Sequence, residues 1–346
     1  MRLTSLKIFV LVLFILMLFG LNLLIGSVNV PFMYVIGIIV GNKTENELWN
    51  YIVIENRLPQ ALTALCCGGA LSASGLMLQT AFRNPLAGPG IFGINSGAAL
   101  AVAIVMLFLG GSVSIETVNL SGFTAILFAS FAGAMAVTFI ILAFSTRVRN
   151  NVSLLIIGIM IGYLASSVIS LLNFFATDQG VKSYLIWGLG SFGGVSLGNI
   201  PFFCTMVFGG LVCSLVLVKP LNALTLGEQY AQSLGVNVAR TRFLLLTITG
   251  LLTAVTTAFC GPIAFVGLAV PHLARLLTGT EDHRTLLPAT ILLGCAVALL
   301  CSLLCYLPPN GSIIPINAIT PLIGAPVIVY IMMKRRRLKN KERVKG

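Results

Sequence analysis

Few residues in this 346-residue chain are able to carry proton, metal or nucleophile chemistry, and they are scattered. There are two histidines, nine acids and eight cysteines. His272 stands next to Pro271 and three residues before Arg275; His283 lies within the run Glu281-Asp282-His283-Arg284. Neither histidine has a second ligand at metal-site spacing, so both read as hydrogen-bonding groups and no metal is expected. The cysteines at 66, 67, 204, 213, 260, 295, 301 and 305 form no CxxC pair and lie within or beside apolar stretches. They read as small packed hydrophobes, with no disulfide framework. No GxxxxGK[ST] occurs, so the chain does not itself cradle ATP in a P-loop. No catalytic set converges, and no cofactor is expected.

The elements around these residues explain the shortage. Apolar residues make up 58% of the chain and charged residues 9%, against about 25% charged in an average soluble domain. That excludes an ordinary soluble enzyme, a disordered protein and a nucleic-acid-binding domain. A membrane-crossing helix needs about 20 apolar residues. Ten segments qualify: 8–25, 58–81, 91–109, 119–143, 152–175, 197–218, 241–259, 263–278, 286–306 and 316–333. The eighth is short and opens on a Gly-Pro step. Arg2 and Lys7 precede the first, which reads as a membrane helix because no small-x-small cleavage pattern follows it. The run 30–40 is too short to cross and reads as an interfacial helix. The whole reads as one all-α polytopic domain, 1–346, with a basic tail at 334–346.

Charge sets the orientation. With the N-terminus inside, 18 basic residues fall inside and three, Lys43, Arg57 and Lys182, outside. Four acids fall inside and five outside, so the net charge of +12 records a positive-inside bias. It indicates an anionic inner leaflet as the basic partner surface and no nucleic acid. No Asp, Glu, Lys or Arg lies in the middle of a span, which argues against proton-coupled transport and intramembrane proteolysis. A passive channel or secondary transporter, or a transporter driven by a separate motor, remains; a polytopic enzyme would need catalytic side chains that are not visible.

Two blocks carry the motifs. The first holds Arg57-Leu58-Pro59, GGALSASGLMLQ (68–79) and RNPLAGPGIFGINSGA (83–98), with Asn84, Pro85 and Gly93 at its breaks. The second holds LGEQYAQSLGV (226–236), GPIAFVGLAVPHLAR (261–275) and GTEDHRTLLP (279–288), with Gly267 inside it; PLIGAP, containing Gly324 and Pro326, follows at 321–326. An Asn-Pro pair followed by Gly-Pro breaks demands a turn and re-entry. GPGIFG (88–93) and GPIAFVG (261–267) echo each other from opposite sides, as an inverted repeat would.

These residues resemble the FecCD-type permeases of ABC importers for iron chelates, haem and cobalamin, over nearly the whole chain. The resemblance implies a type II importer permease bundle of about ten transmembrane helices, pairing as a dimer (a homodimer where one chain serves both halves). It also implies two cytoplasmic ATPase subunits and an external substrate-binding protein. ATP hydrolysis would lie on the separate subunit. LGEQYAQSLGV is similar to the family's ATPase-coupling motif, with the segment 220–240 around it. Leu226, Gly227, Ala231, Leu234 and Gly235 are its candidates, and Gly227, Ala231 and Gly235 at four-residue spacing predict one small-residue face for close docking. On its own the segment reads equally as a surface helix ended by glycines.

The family's outer arginines receive glutamates of the binding protein. Arg57 matches the first; Gln60 stands in place of the second and Tyr306 in place of the third. Ser302 replaces an aspartate, and Ile313 and Asn317 replace the Glu and Gly of the usual ELPVG. Docking would then rest mainly on Arg57, which alternatively anchors a helix end. The resemblance implies a pathway along the fifth and tenth helices, where Ser166, Ser167, Ser170 and Asn173 suit a large, weakly held cargo.

Overall fold

A computed structural model describes residues 2–41, 47–109, 112–115, 118–148, 151–308 and 312–343. Lys43, Glu45, Glu116, Arg149 and Lys345, which enter the charge balance, lie outside them. Ten apolar helices follow the ten candidate segments: α1 (Arg2–Leu24), α2 (Leu58–Ala81), α3 (Ile94–Ala103), α4 (Phe123–Arg147), α5 (Asn151–Phe175), α6 (Ile200–Val216), α7 (Val238–Cys260), α8 (Val266–Thr278), α9 (His283–Leu304) and α10 (Ile316–Arg343). Among the described residues, seven helical stretches are long and apolar enough to cross a membrane; those of α3, α8 and α10 are shorter apolar helices.

The differences have local causes. The helix that becomes α2 begins at Glu47 and passes through a π-helical stretch, Ile52–Arg57. Its polar first turns carry too little hydropathy to be read as a span. The expected start of the fourth span at 119 is instead strand β2 (Val118–Ser121), paired antiparallel with β1 (Ser112–Ile115). Gly122, at φ +59, separates this hairpin from α4. It is the one departure from an all-helical fold among the described residues. The run 30–40 forms a nine-residue helix, Phe32–Val40, with Val35 and Ile38 buried.

α2 is the central helix, packed by α9, α8, α7 and α6. Its small residues make that possible. A Cβ on Gly68 would lie 2.2 Å from the Gly294 carbonyl oxygen, and one on Gly75 1.7 Å from that of Gly267. The backbones therefore touch, as small residues allow between membrane helices. Hydroxyls in these spans return to their own helix: Thr249 donates to Leu245 O (2.9 Å), Thr253 to Thr249 O (2.7 Å) and Thr290 to Leu286 O (2.7 Å). That satisfies polar groups where no water reaches.

Contacts between distant segments sort the chain's two ends. Lys7 Nζ donates to Leu277 O (2.8 Å), which joins the start of α1 to the end of α8. Arg57 reaches the far end of α1. The positive-inside assignment puts the first contact inside and the second outside.

Candidate functional site: the inner coupling face and the outer rim

The inner face is built on two short helices, Val218–Leu226 and Glu228–Ser233, joined at Gly227. Gly227 has φ +119 and ψ 155, a conformation open to glycine and strained for other residues. Gly235, at φ +82, ends the second helix. Asn237 then caps α7, its Oδ1 accepting from the Arg240 amide (2.9 Å).

The expected small-residue docking face does not form. The helix between the glycines has only six residues, so Gly227 and Gly235 are its boundaries and not positions on its surface. Ala231 is 0% exposed and packs inward with Ala223, Leu224 and Val238. What projects outward is Leu226 (61% exposed), Tyr230 (55%) and Leu234 (58%). Together they make the outward apolar ridge, with Leu226 ending the first short helix, Tyr230 in the second and Leu234 at its C-cap. Leu226 and Leu234 were among the sequence candidates; Tyr230 was not, since an aromatic inside a polar six-residue stretch carries no signal of its own. A cavity of about 580 Å³ lies beside the ridge, lined by Arg83, Leu226, Gly227, Glu228, Gln229, Tyr230 and Ser233. Glu228 and Arg242 form a 2.7 Å ion pair that ties the second helix to α7.

The same face holds a polar network that ties the coupling segment to the bundle. Asn222 Oδ1 accepts from the His283 amide and from His283 Nδ1 (both 2.8 Å), and Asn222 Nδ2 donates to Asp282 Oδ1 (2.6 Å). With Nδ1 the donor, His283 Nε2 accepts from Thr80 Oγ1 (2.8 Å) at the end of α2. The Arg284 amide, and then Asn222, hold Asp282 below the usual carboxylate range. Arg275 Nη1 donates to Gln79 Oε1 (2.7 Å) and its Nε to Glu281 Oε2 (3.0 Å). His272 Nε2 donates to Pro85 O (2.9 Å), which fastens the Asn-Pro turn, where Asn84 Oδ1 accepts from the Leu86 amide (2.9 Å). Among the described residues, no group of three His, Cys, Asp or Glu is placed to hold a metal. Asn222, Thr80 and Gln79 carried no sequence signal, because their partners are 60 to 203 positions away.

The two Gly-Pro loops meet. Gly88, Pro89, Gly90 and Ile91 face Ile263, Ala264, Phe265 and Gly267 across a cavity of about 300 Å³. Gly93 (φ +74) starts α3 and Phe265 (φ +67) starts α8. Gly93 also admits α5, since a Cβ there would lie 2.8 Å from Gly158 O. Gly324, between Pro321 and Pro326 of α10, admits Phe265: a Cβ there would lie 3.0 Å from that of Phe265. Pro271 is buried within α8.

At the outer rim, Arg57 is 5% exposed. Its Nη1 donates to Leu23 O (2.9 Å) and Leu24 O (2.7 Å), and its Nη2 to Val28 O. The buried guanidinium caps the carbonyls ending α1, which is the helix-end anchoring that stood as the alternative to docking. Gln60 and Tyr306, the replacements for the other two arginines, bond each other: Tyr306 Oη donates to Gln60 Oε1 (2.7 Å). Ser302 is buried, so the carboxylate it replaces would stand in apolar packing.

Ser166, Ser167 and Ser170 are exposed on α5, among Tyr163, Leu164, Leu171 and Phe174; Asn173 is half-buried. Ser170 Oγ donates to Ser166 O (2.9 Å). α10 likewise exposes Leu322, Val329 and Tyr330.

A protein-family model, described as the FecCD transport family, matches residues 12–334. This chain belongs to the FecCD transport family. The vitamin B12 import system permease protein BtuC of Photorhabdus laumondii is 33% identical over 296 residues, 85% of each chain. The hemin transport system permease protein HmuU of Yersinia pestis is 31% identical over 319 residues, covering 92% of this chain and 94% of its own. A solved structure, described as an inward-facing conformation of a candidate metal-chelate type ABC transporter, aligns with TM-score 0.81 at 30% identity over 94% of this chain and 98% of its own. The chain is thus a multi-pass membrane permease of the ABC importer class, with ATPase and binding-protein partners implied. As a FecCD permease it is the non-catalytic part of that assembly.

Proposed function

We propose that this FecCD permease carries a metal-bearing chelate, haem or a corrinoid across a bacterial plasma membrane by alternating access. The outward apolar ridge Leu226–Tyr230–Leu234 on the inner face carries the reading. Three large apolar side chains held out at a water-facing end, on a backbone fixed by buried Ala231, suit burial in a protein cleft. The occupant is a cytoplasmic ATPase subunit. The relatives named for vitamin B12 and hemin import support the cargo class. A large cargo bound by weak walls is able to leave them.

Both termini lie inside, and the basic tail faces the anionic leaflet. The exposed faces of α5 and α10 pair with those of a second copy and bound the pathway there, with Ser166, Ser167, Ser170 and Asn173 along it. Arg57, Gln60 and Tyr306 shape the outer rim for the binding protein, Arg57 from within. The chain, 1–346, acts as one transmembrane unit.

The test is co-purification with the ATPase, followed by reconstitution. Hydrolysis stimulated by a ligand-loaded binding protein, and uptake of that ligand, are expected. Transport of the same cargo without any ATPase would overturn the reading, and the ligand bound to the purified binding protein identifies the cargo.

A further inference from the structure

Three segments of the outer end meet on one side chain. Asn317 lies in the first turn of α10. Its Oδ1 accepts from the Ala264 amide (3.1 Å), and its Nδ2 donates to Gly188 O (3.1 Å) and Pro262 O (2.5 Å). Its own amide donates to Leu189 O (3.2 Å), and beside it the Ser191 amide donates to Cys260 O (2.8 Å). The two donors of the carboxamide are both used, and its oxygen is engaged as well. The cluster thereby joins the end of the helix Asp178–Gly188, the loop between α7 and α8, and the start of α10.

The backbone around it is held out of its ordinary conformations. Gly190 has φ +70, Gly261 φ +73 and Phe265 φ +67. A Cβ on Gly190 would lie 3.0 Å from Ile316 Cγ2 and 3.2 Å from Asn317 Nδ2; one on Gly261 would lie 2.6 Å from Trp187 O. A phenylalanine in the left-handed region persists only where its surroundings hold it. Here α10 does so through Asn317, on Ala264, and Gly324, on Phe265. A glycine at position 317, the residue implied there by the resemblance to the family, has no side chain to make any of these three bonds.

We propose that Asn317 is a latch on the outer mouth of this permease. It binds α10 to the two outer loops in the inward-facing state, and its three side-chain bonds must break before α10 moves to open the outer side. The proposal rests on the reading of the chain as an alternating-access permease. The state it takes is that of a solved structure, described as inward-facing, whose fold this chain shares. Asn317 is a positioning residue, and what it sets is the balance between the two states.

The test uses the importer with its ATPase in liposomes, carrying Asn317→Asp or Asn317→Gly. Asp has nearly the volume of Asn and still accepts from the Ala264 amide. It turns both donors into a carboxylate oxygen against the Gly188 and Pro262 carbonyls. Gly removes all three side-chain bonds at once and introduces no charge. Basal ATP hydrolysis without binding protein is expected to rise about threefold to tenfold in both, the effect of about one net hydrogen bond, and uptake per ATP to fall. Amide exchange across 260–265 should quicken, with that of 226–235 unchanged. If Asp behaves as wild type, Asn317 only fills space and the latch is overturned. Wild-type basal hydrolysis and uptake per ATP in both variants overturn it equally, with ATP-driven uptake by the unmutated importer leaving the permease reading intact. Absence of that uptake in the unmutated importer removes the reading and the latch together.

Discussion

At the scale of single residues, the identity of a side chain was legible and its partner was not. Arg57 stood out in the sequence as a cation on the outer side, where the family resemblance implied docking and its place at a helix end suggested anchoring. The choice depended on the carbonyls of Leu23, Leu24 and Val28, which no local pattern announces. Gly26 shows how tightly the arginine is enclosed, since a Cβ there would lie 2.8 Å from Arg57 Nε. Arg57→Gln should lower stability by about 3 kcal/mol, as charge-assisted bonds to buried acceptors are lost; thermal unfolding in detergent measures it. The affinity for the binding protein should then show the same salt dependence as wild type, because no exposed charge has been removed. Tyr306→Phe removes a single bond, to Gln60. It should cost about 1 kcal/mol by the same assay.

At the scale of elements, all ten apolar helices were legible, since length and hydropathy decide a span. Polar and non-regular pieces were not. The early turns of the helix from Glu47, the hairpin before α4 and the helix Asp178–Gly188 owe their form to neighbours distant in sequence. The segment that carries the coupling-like motif folds as two short helices, and the small-residue face expected of it does not form because four-residue periodicity does not carry across a helix that spans six residues. Asn222 is the element's link to α9, through Asp282 and His283. Asn222→Ala should leave ATPase binding intact and lower uptake per ATP about fivefold, the effect of one to two lost bonds. Measured hydrolysis and uptake in the same liposomes give that ratio. Gly227→Trp, at φ +119, should leave the protein inserted but lose coupled uptake, because the bend between the two short helices no longer forms. Normal uptake in that variant would show that the bend is dispensable.

At the scale of the whole molecule, the charge distribution and the packing agree. Basic residues collect at the end where the starts of α1, α7 and α9 meet the ends of α2 and α8, and charge is absent from the middle of the spans. The bundle holds together through small residues on α2, so its interior offers no proton relay. Energy must enter at the inner face. The most direct measurement is therefore retention of the ATPase subunit by the purified permease, compared between wild type and Leu226→Asp, Tyr230→Asp and Leu234→Asp. All three positions are more than half exposed, so the substitutions leave the fold intact. Each variant should lose ATPase about tenfold or more, as for a charge buried unpaired in an interface, with unchanged thermal unfolding. Full ATPase retention by all three variants would contradict the account.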